Sequence, residues 1–274
     1  MFTKLYQVHP LLQEYVQCIQ IIDIQLDAAA TSACPYPPTP QNSLFFYVKD
    51  PIRVNFQESG HYLQQPEAVV VGPQVTRVMI DVGHHHKAIR VGFQPGGLHR
   101  LTGLPLQELL DGSLDAEEVF GASIRRVNER LKDAADPDEL KSIVEQFLLD
   151  QCRRLKPELP FDRAMAYLLQ REGHVSVDSL ASLACLSVRQ LERVSKERLG
   201  YTPKFFSRII RFSKAYRMRE QEQSVSWTHI AYACGYFDQM HLIRDFRQFA
   251  GVPPGVIEKE ILQAPVLLQQ PLRF

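Results

Sequence analysis

The sequence predicts an α+β chain: a β-rich N-terminal barrel or sandwich with a helical pair, then an all-α C-terminal domain with two helix-turn-helix units. Three observations carry this. Residues 44–93 hold short β-branched and aromatic runs between Gly and Pro breaks. From Phe161 onward apolar residues recur at helical spacing between capping residues and glycines. Within that region a short helix, a tight turn and a second helix occur twice, about fifty residues apart.

The strands read as 44–56 (LFFYVKDPIRVNF), 68–72 (AVVVG), 75–82 (VTRVMIDV) and 88–93 (AIRVGF). Pro51, Gly60, Pro66, Gly72-Pro73, Gly83 and Pro95-Gly96-Gly97 bound them. Short strands at that spacing suit a small barrel or sandwich, set at residues 1–110. The stretch 35–40 (PYPPTP) reads as irregular loop. Asp115 with Glu118 forms a capping pair ahead of Ile124, Val127 and Leu131 at helical spacing. Pro137 opens another helix with Leu140, Ile143, Val144, Phe147, Leu148 and Leu155 on its apolar side. This region, 111–155, can cover the barrel or make a dimer interface, and the sequence leaves both open. Residues 156–160 (KPELP) are the linker, because two prolines discourage helix there.

The C-terminal domain is set at 161–260, with a tail at 261–274. Helices are expected over Phe161–Glu172 and Val177–Ala184. Ser187 caps the next, which stops at Gly200. Pro203 opens a long helix to about Glu222. Ser226 caps Trp227–Ala233, Asp238 caps a helix through Ala250, and Pro253-Pro254 begins a last short one.

The 274 residues are 45% hydrophobic and 23% charged, an ordinary globular composition. Cysteines 18, 34, 152, 185 and 234 form no CxxC and read as reduced thiols of a cytoplasmic protein. The start, MFTKLYQVHP, has no apolar secretion core, and no apolar run has the length of a membrane span. GxSxG, Walker and HExxH motifs are absent, and no catalytic residue or cofactor is expected. The formal net charge is zero, yet Ser187–Arg219 holds ten Lys/Arg against two acids, a surplus of eight. Such a basic segment points to a local polyanion site, with DNA the leading candidate, or to a solvated helix surface.

The helix after Ser187 sharpens this. At about 100° per residue, Arg189, Arg193 and Lys196 fall within roughly 60° of one another, with Leu191 nearly opposite. One face can bury while the basic face enters a major groove, where Arg reads guanine, Gln190 adenine, and Glu192 cytosine. The second helix repeats the logic. Leu242, Phe246 and Phe249 share one side, and Met240, Arg244 and Arg247 another. Gln239 can read adenine, Ile243 or Met240 can touch a thymine methyl, and Arg247 suits a phosphate.

The segments VDSLASLACLSVRQLERVSKERLGYTPKFFSRIIRFSKAYRM and WTHIAYACGYFDQMHLIRDFRQFAGVPP resemble the two halves of the AraC/XylS DNA-binding domain, over roughly 165–257. The resemblance implies two recognition helices entering successive major grooves of double-stranded DNA, in a transcription regulator that works with RNA polymerase. By carry-over the base readers are Arg189, Gln190, Glu192, Arg193, Gln239, Met240, Ile243 and Arg244. Lys196, Arg208 and Arg247 are phosphate candidates on charge. Ser195 departs from the pattern, standing where an aromatic is usual, and loosened packing is expected there. Met240 and Leu242 replace the usual Ser and Phe. FQPGGLHRLTGLPLQEL at 93–109 is similar, more weakly, to the end of the family's cupin-like sensor barrel. That implies a small effector in the barrel and a homodimer through the helices. Phe45, Tyr47, Phe56, Tyr62 and Met79 are the pocket candidates, with plain core as the alternative.

His84, His85 and His86 are the metal candidates, although three consecutive strand residues alternate faces and at most two could converge. A hairpin turn after Gly83 explains them as well. Two rivals therefore stand beside a DNA-binding regulator: a metal-dependent cupin enzyme in residues 1–110, and a regulator without an effector.

Overall fold

The computed structural model describes residues 2–56, 60–264 and 266. Two antiparallel sheets build the N-terminal domain. The larger runs β1 (Phe2–Tyr6), β2 (Val16–Gln25), β9 (His85–Phe93), β4 (Ser43–Lys49), β7 (Ala68–Val71) and β10 (Ser113–Asp115). The smaller runs β3 (Ala33–Tyr36), β8 (Val78–Asp81), β5 (Arg53–Phe56) and β6 (Leu63–Gln64).

The run 44–56 is two strands, because Asp50 turns at φ +32° and Pro51 donates no backbone hydrogen bond. The Pro-rich stretch contributes Pro35 and Tyr36 to β3. The long strand β2 escapes sequence reading because both its faces are buried, so it lacks the polar alternation of a surface strand. Ile19 and Ile21 join the outer core while Gln20 and Ile22 line the interior.

Four helices follow: α1 (Gly97–Thr102), α2 (Ala116–Phe120), α3 (Ser123–Asp133) and α4 (Pro137–Gln151). Asp115 caps α2, its carboxylate accepting from the Glu117 amide. Asp136 caps α4 by accepting from the amides of Asp138 and Glu139, with Pro137 in the first turn. Ile124, Val127, Leu131, Leu140, Ile143, Val144, Phe147 and Leu148 share one core with Leu44, Phe46, Ile89, Val91 and Phe93. The helical pair therefore covers the outer face of the larger sheet.

The C-terminal domain comprises α5 (Pro160–Gln170), α6 (Val177–Leu183), α7 (Val188–Leu199), α8 (Pro203–Gln221), α9 (Trp227–Ala233), α10 (Gln239–Phe249) and α11 (Pro254–Gln263). Its core centres on rings: Phe246 lies 4.9 Å from Phe212 and 5.1 Å from Trp227, and Phe249 lies 5.4 Å from Phe205, all edge to face. Of the tail, residues 261–263 belong to α11, and all but Ala264 and Val266 of the rest lies outside the described residues.

Two buried histidines make folding sensitive to acid. The His99 ring hydrogen-bonds the Leu104 carbonyl at 2.8 Å, and His86 bonds the Asp50 carbonyl at 3.0 Å. Burial lowers the pKa of both below the ordinary 6.5. The unfolded chain therefore takes up protons first, and stability falls as the pH drops below about 6.5 toward the folded-state values. Thermal melts between neutral pH and pH 5 are expected to show this, with a shallower decline in His99→Gln. Parallel declines in the two proteins would contradict the assignment.

Candidate nucleic-acid interface and interior cavity

Each helix-turn-helix is set by local chemistry. Ser176 caps α6 and Ser187 caps α7, the hydroxyl of each accepting an amide three residues on. Gly200 ends α7 at φ +89°, its amide bonding the Lys196 carbonyl at 3.0 Å. A Cβ on Gly200 would also stand 2.6 Å from Pro73 of the N-terminal domain, so close approach demands glycine there too. Ser226 caps α9 and Asp238 caps α10 in the same way.

On α7, Leu191 is fully buried, whereas Arg189, Gln190, Glu192, Arg193 and Lys196 are exposed. On α10, Leu242, Phe246 and Phe249 are fully buried. Gln239, Met240, Arg244 and Arg247 are exposed and Ile243 is half-buried. Each helix thus presents a polar stripe opposite an apolar one. The expected loosening at Ser195 is absent: its buried hydroxyl donates to the Tyr201 carbonyl at 2.6 Å and ties α7 to the start of α8.

Two predicted contacts are otherwise engaged. Gln190 Oε1 accepts the Ser187 amide at 2.9 Å in a capping box, so its side chain must leave the cap before reading a base. Arg208 donates to Asp245 at 3.1 and 2.7 Å and lies over the rings of Phe205 and Phe249. It braces α8 against α10, and a phosphate would have to displace a carboxylate. Much of the positive surplus is internal in the same sense. Arg198 pairs with Asp162, Lys214 with Glu172 and Arg219 with Glu258.

The two sheets border a cavity of about 90 Å³. Phe45 and Tyr47 line it. Tyr62 does not: it sits at the surface, with the Arg53 guanidinium 5.8 Å from its ring. Met79 does not either, because Val78 and Ile80 on β8 face the cavity and the pleat turns Met79 away. Phe56 ends β5, and its side chain lies outside the described residues. The histidines do not gather. His86 is buried beside Tyr47, with ring centres 5.7 Å apart, while His84 and His85 are exposed. Among the described residues no three His, Cys, Asp or Glu side chains form a group that could hold a metal.

Sequence reading missed Arg90 and Gln20, both inside this cavity. The signal was present in β9: with Ile89, Val91 and Phe93 in the outer core, the intervening Arg90 must face inward.

The C-terminal domain thus carries two helix-turn-helix units joined by the single helix α8. Residues 180–260 match a family model described as a helix-turn-helix domain, and residues 4–115 match a domain of unknown function (DUF6597). The transcriptional activator RhaS of Escherichia fergusonii is 36% identical over 86 residues, 31% of this chain and 30% of that protein. The transcriptional regulator ArgR of Pseudomonas aeruginosa is 34% identical over 83 residues, 30% of this chain and 25% of that protein. The chain thus spans less than a third of the length of these curated relatives. A structure of ToxT from Vibrio cholerae aligns over 90% of this chain and 99% of its own, with a TM-score of 0.50 at 10% identity, which is a likeness of fold. The C-terminal segment is thus similar to the helix-turn-helix region of these transcription regulators. Among the described residues no helix is long and apolar enough to cross a membrane.

Proposed function

We propose that this chain is a sequence-specific transcription regulator that reads two successive major grooves with α7 and α10. The observation that carries this is the repeated design: a capped helix with a buried apolar stripe and an exposed polar one, twice, joined by α8. Arg189, Glu192 and Arg193 read bases from α7, and Gln239, Met240, Ile243 and Arg244 from α10. Gln190 joins them once released from its cap. Lys196 and Arg247 bind phosphates. Selection from a random DNA pool with the full-length protein tests the reading. Enrichment of two boxes about one helical turn apart supports it. Enrichment of nothing, with and without cell metabolites, overturns it.

Phosphate binding has its own signature. The logarithm of affinity is expected to fall linearly with that of salt concentration, and Lys196→Ala and Arg247→Ala each to flatten the slope by about one. A slope near zero in the wild type would remove phosphate contacts from the reading.

The same reading gives the N-terminal cavity to a small effector and includes a homodimer and contact with RNA polymerase. A short physical route supports the effector. Asp111 lines the cavity, and its Oδ1 accepts the amides of Val75 and Thr76 at 2.7 and 3.0 Å. The next residue, Arg77, forms a forked pair with Glu260 of α11 at 2.9 and 2.8 Å. Val75 packs on the C-terminal core, and Pro73 meets Gly200 at the end of α7. Occupancy that moves residues 73–77 would therefore bear on a recognition helix.

A further inference from the structure

Arg90, Arg100, Arg198 and Arg219 are the buried arginines among the described residues. Three of them end on carboxylates: Arg100 on Glu14, Arg198 on Asp162 and Arg219 on Glu258. Arg90, only 1% exposed, does not. Its Nη2 donates to Gln41 Oε1 at 2.6 Å, its Nη1 lies 3.9 Å from Cys18 Sγ, and its Nε meets no acceptor. Gln41 is neutral and brings no counter-charge. Nearby, both polar atoms of Gln20 and the hydroxyl of Tyr47 are also buried without partners. Asp111 is the one carboxylate on the lining, and its Oδ1 is held by the 75–76 backbone. A buried guanidinium with no anion is unfavourable unless something else supplies the charge.

We propose that the cavity binds a small organic monocarboxylate with an apolar body, its carboxylate on the Arg90 guanidinium and its body against Phe45, Tyr47, Val54 and Ile80. The proposal rests on reading the N-terminal domain as an effector site. The guanidinium fork matches a carboxylate in two parallel bonds. The Gln20 amide and the Tyr47 hydroxyl can donate to whatever oxygen remains. The lining holds one arginine and no lysine, and burial keeps its His86 neutral, so a single negative charge is matched and a dianion is not. Phe45, Tyr47, Ile52, Val54, Val78 and Ile80 give the lining a large apolar share beside polar residues such as Gln65 and Ser113, which suits an acid with a hydrocarbon body.

Calorimetry on the full-length protein tests this with phenylacetate and hexanoate against their neutral amides. Both acids are expected to bind saturably and the amides at least about tenfold more weakly. Arg90→Gln should erase that difference, and Val54→Trp, which fills the cavity, should abolish binding of both. Equal binding of acids and amides, blocked by Val54→Trp, would overturn the carboxylate assignment while leaving a ligand site. No binding by any probe overturns the proposal as well. A metabolite hit of other chemistry, lost in Val54→Trp, would then preserve the effector reading, and its absence would end both. Arg90→Met supplies an independent measurement without ligand. Removing an unpaired buried charge should leave the melting temperature unchanged or raise it. A drop of several degrees would make Arg90 a structural strut and overturn the proposal.

Discussion

Asp162→Ala is expected to destabilise the C-terminal domain by about 3–5 kcal/mol, measured by urea unfolding, because it strands a buried arginine. Arg198 Nε and Nη2 donate to Asp162 Oδ1 at 3.1 and 2.8 Å, and Nη2 reaches Oδ2 at 2.8 Å as well. The two side chains are 7% and 4% exposed, so water cannot replace the lost carboxylate. Asp162 Oδ2 also accepts the Leu159 amide at 2.8 Å, which starts α5. One side chain thus starts the domain's first helix and anchors the last turn of α7. The Arg198→Met, Asp162→Leu double variant should recover most of the loss, since an apolar pair of similar volume often matches a buried ion pair. A loss below about 1 kcal/mol for Asp162→Ala, the range of exposed pairs, would refute this account.

Arg198 also shows where sequence reading stops. The helices after Phe161 were legible because caps, prolines and glycines punctuate them, and their boundaries fall within about two residues of expectation. Charge was less legible. Ten basic residues between Ser187 and Arg219 read as one surface. Yet Arg198, Arg208, Lys214 and Arg219 find acids at Asp162, Asp245, Glu172 and Glu258, distant in sequence. Helical phase separates buried from exposed, but it cannot tell which arginine meets a carboxylate from another helix. In the N-terminal domain the limit is different. Strands buried on both faces, such as β2, lose the alternation that marks an interior. Phe45 and Tyr47 on the cavity were legible as aromatics, whereas Arg90 looked like a surface residue until the outer core fixed its neighbours.

That distinction between committed and free arginines sets the largest expected effect on DNA binding. Arg193 is exposed, with only a loose contact to Glu197 at 3.9 Å, and Arg244 is exposed on α10. Surface pairs of that kind hold a side chain weakly, so both are available to a base. On the selected operator, Arg193→Ala and Arg244→Ala should each cost about 1–3 kcal/mol, and each should relax a different box. The sites lie in separate units, so the losses should add, and the double variant should lose about 2–6 kcal/mol of specific binding. Folding stability should stay within about 0.5 kcal/mol of wild type in all three, as for other surface changes. Arg208→Ala supplies the contrast. It should lower the unfolding midpoint, because Asp245 is left buried, and change the salt slope little. If Arg193→Ala and Arg244→Ala relaxed the same box, one helix would be doing all the reading. If neither weakened binding while Arg208→Ala did, the interface would lie on another face of the domain.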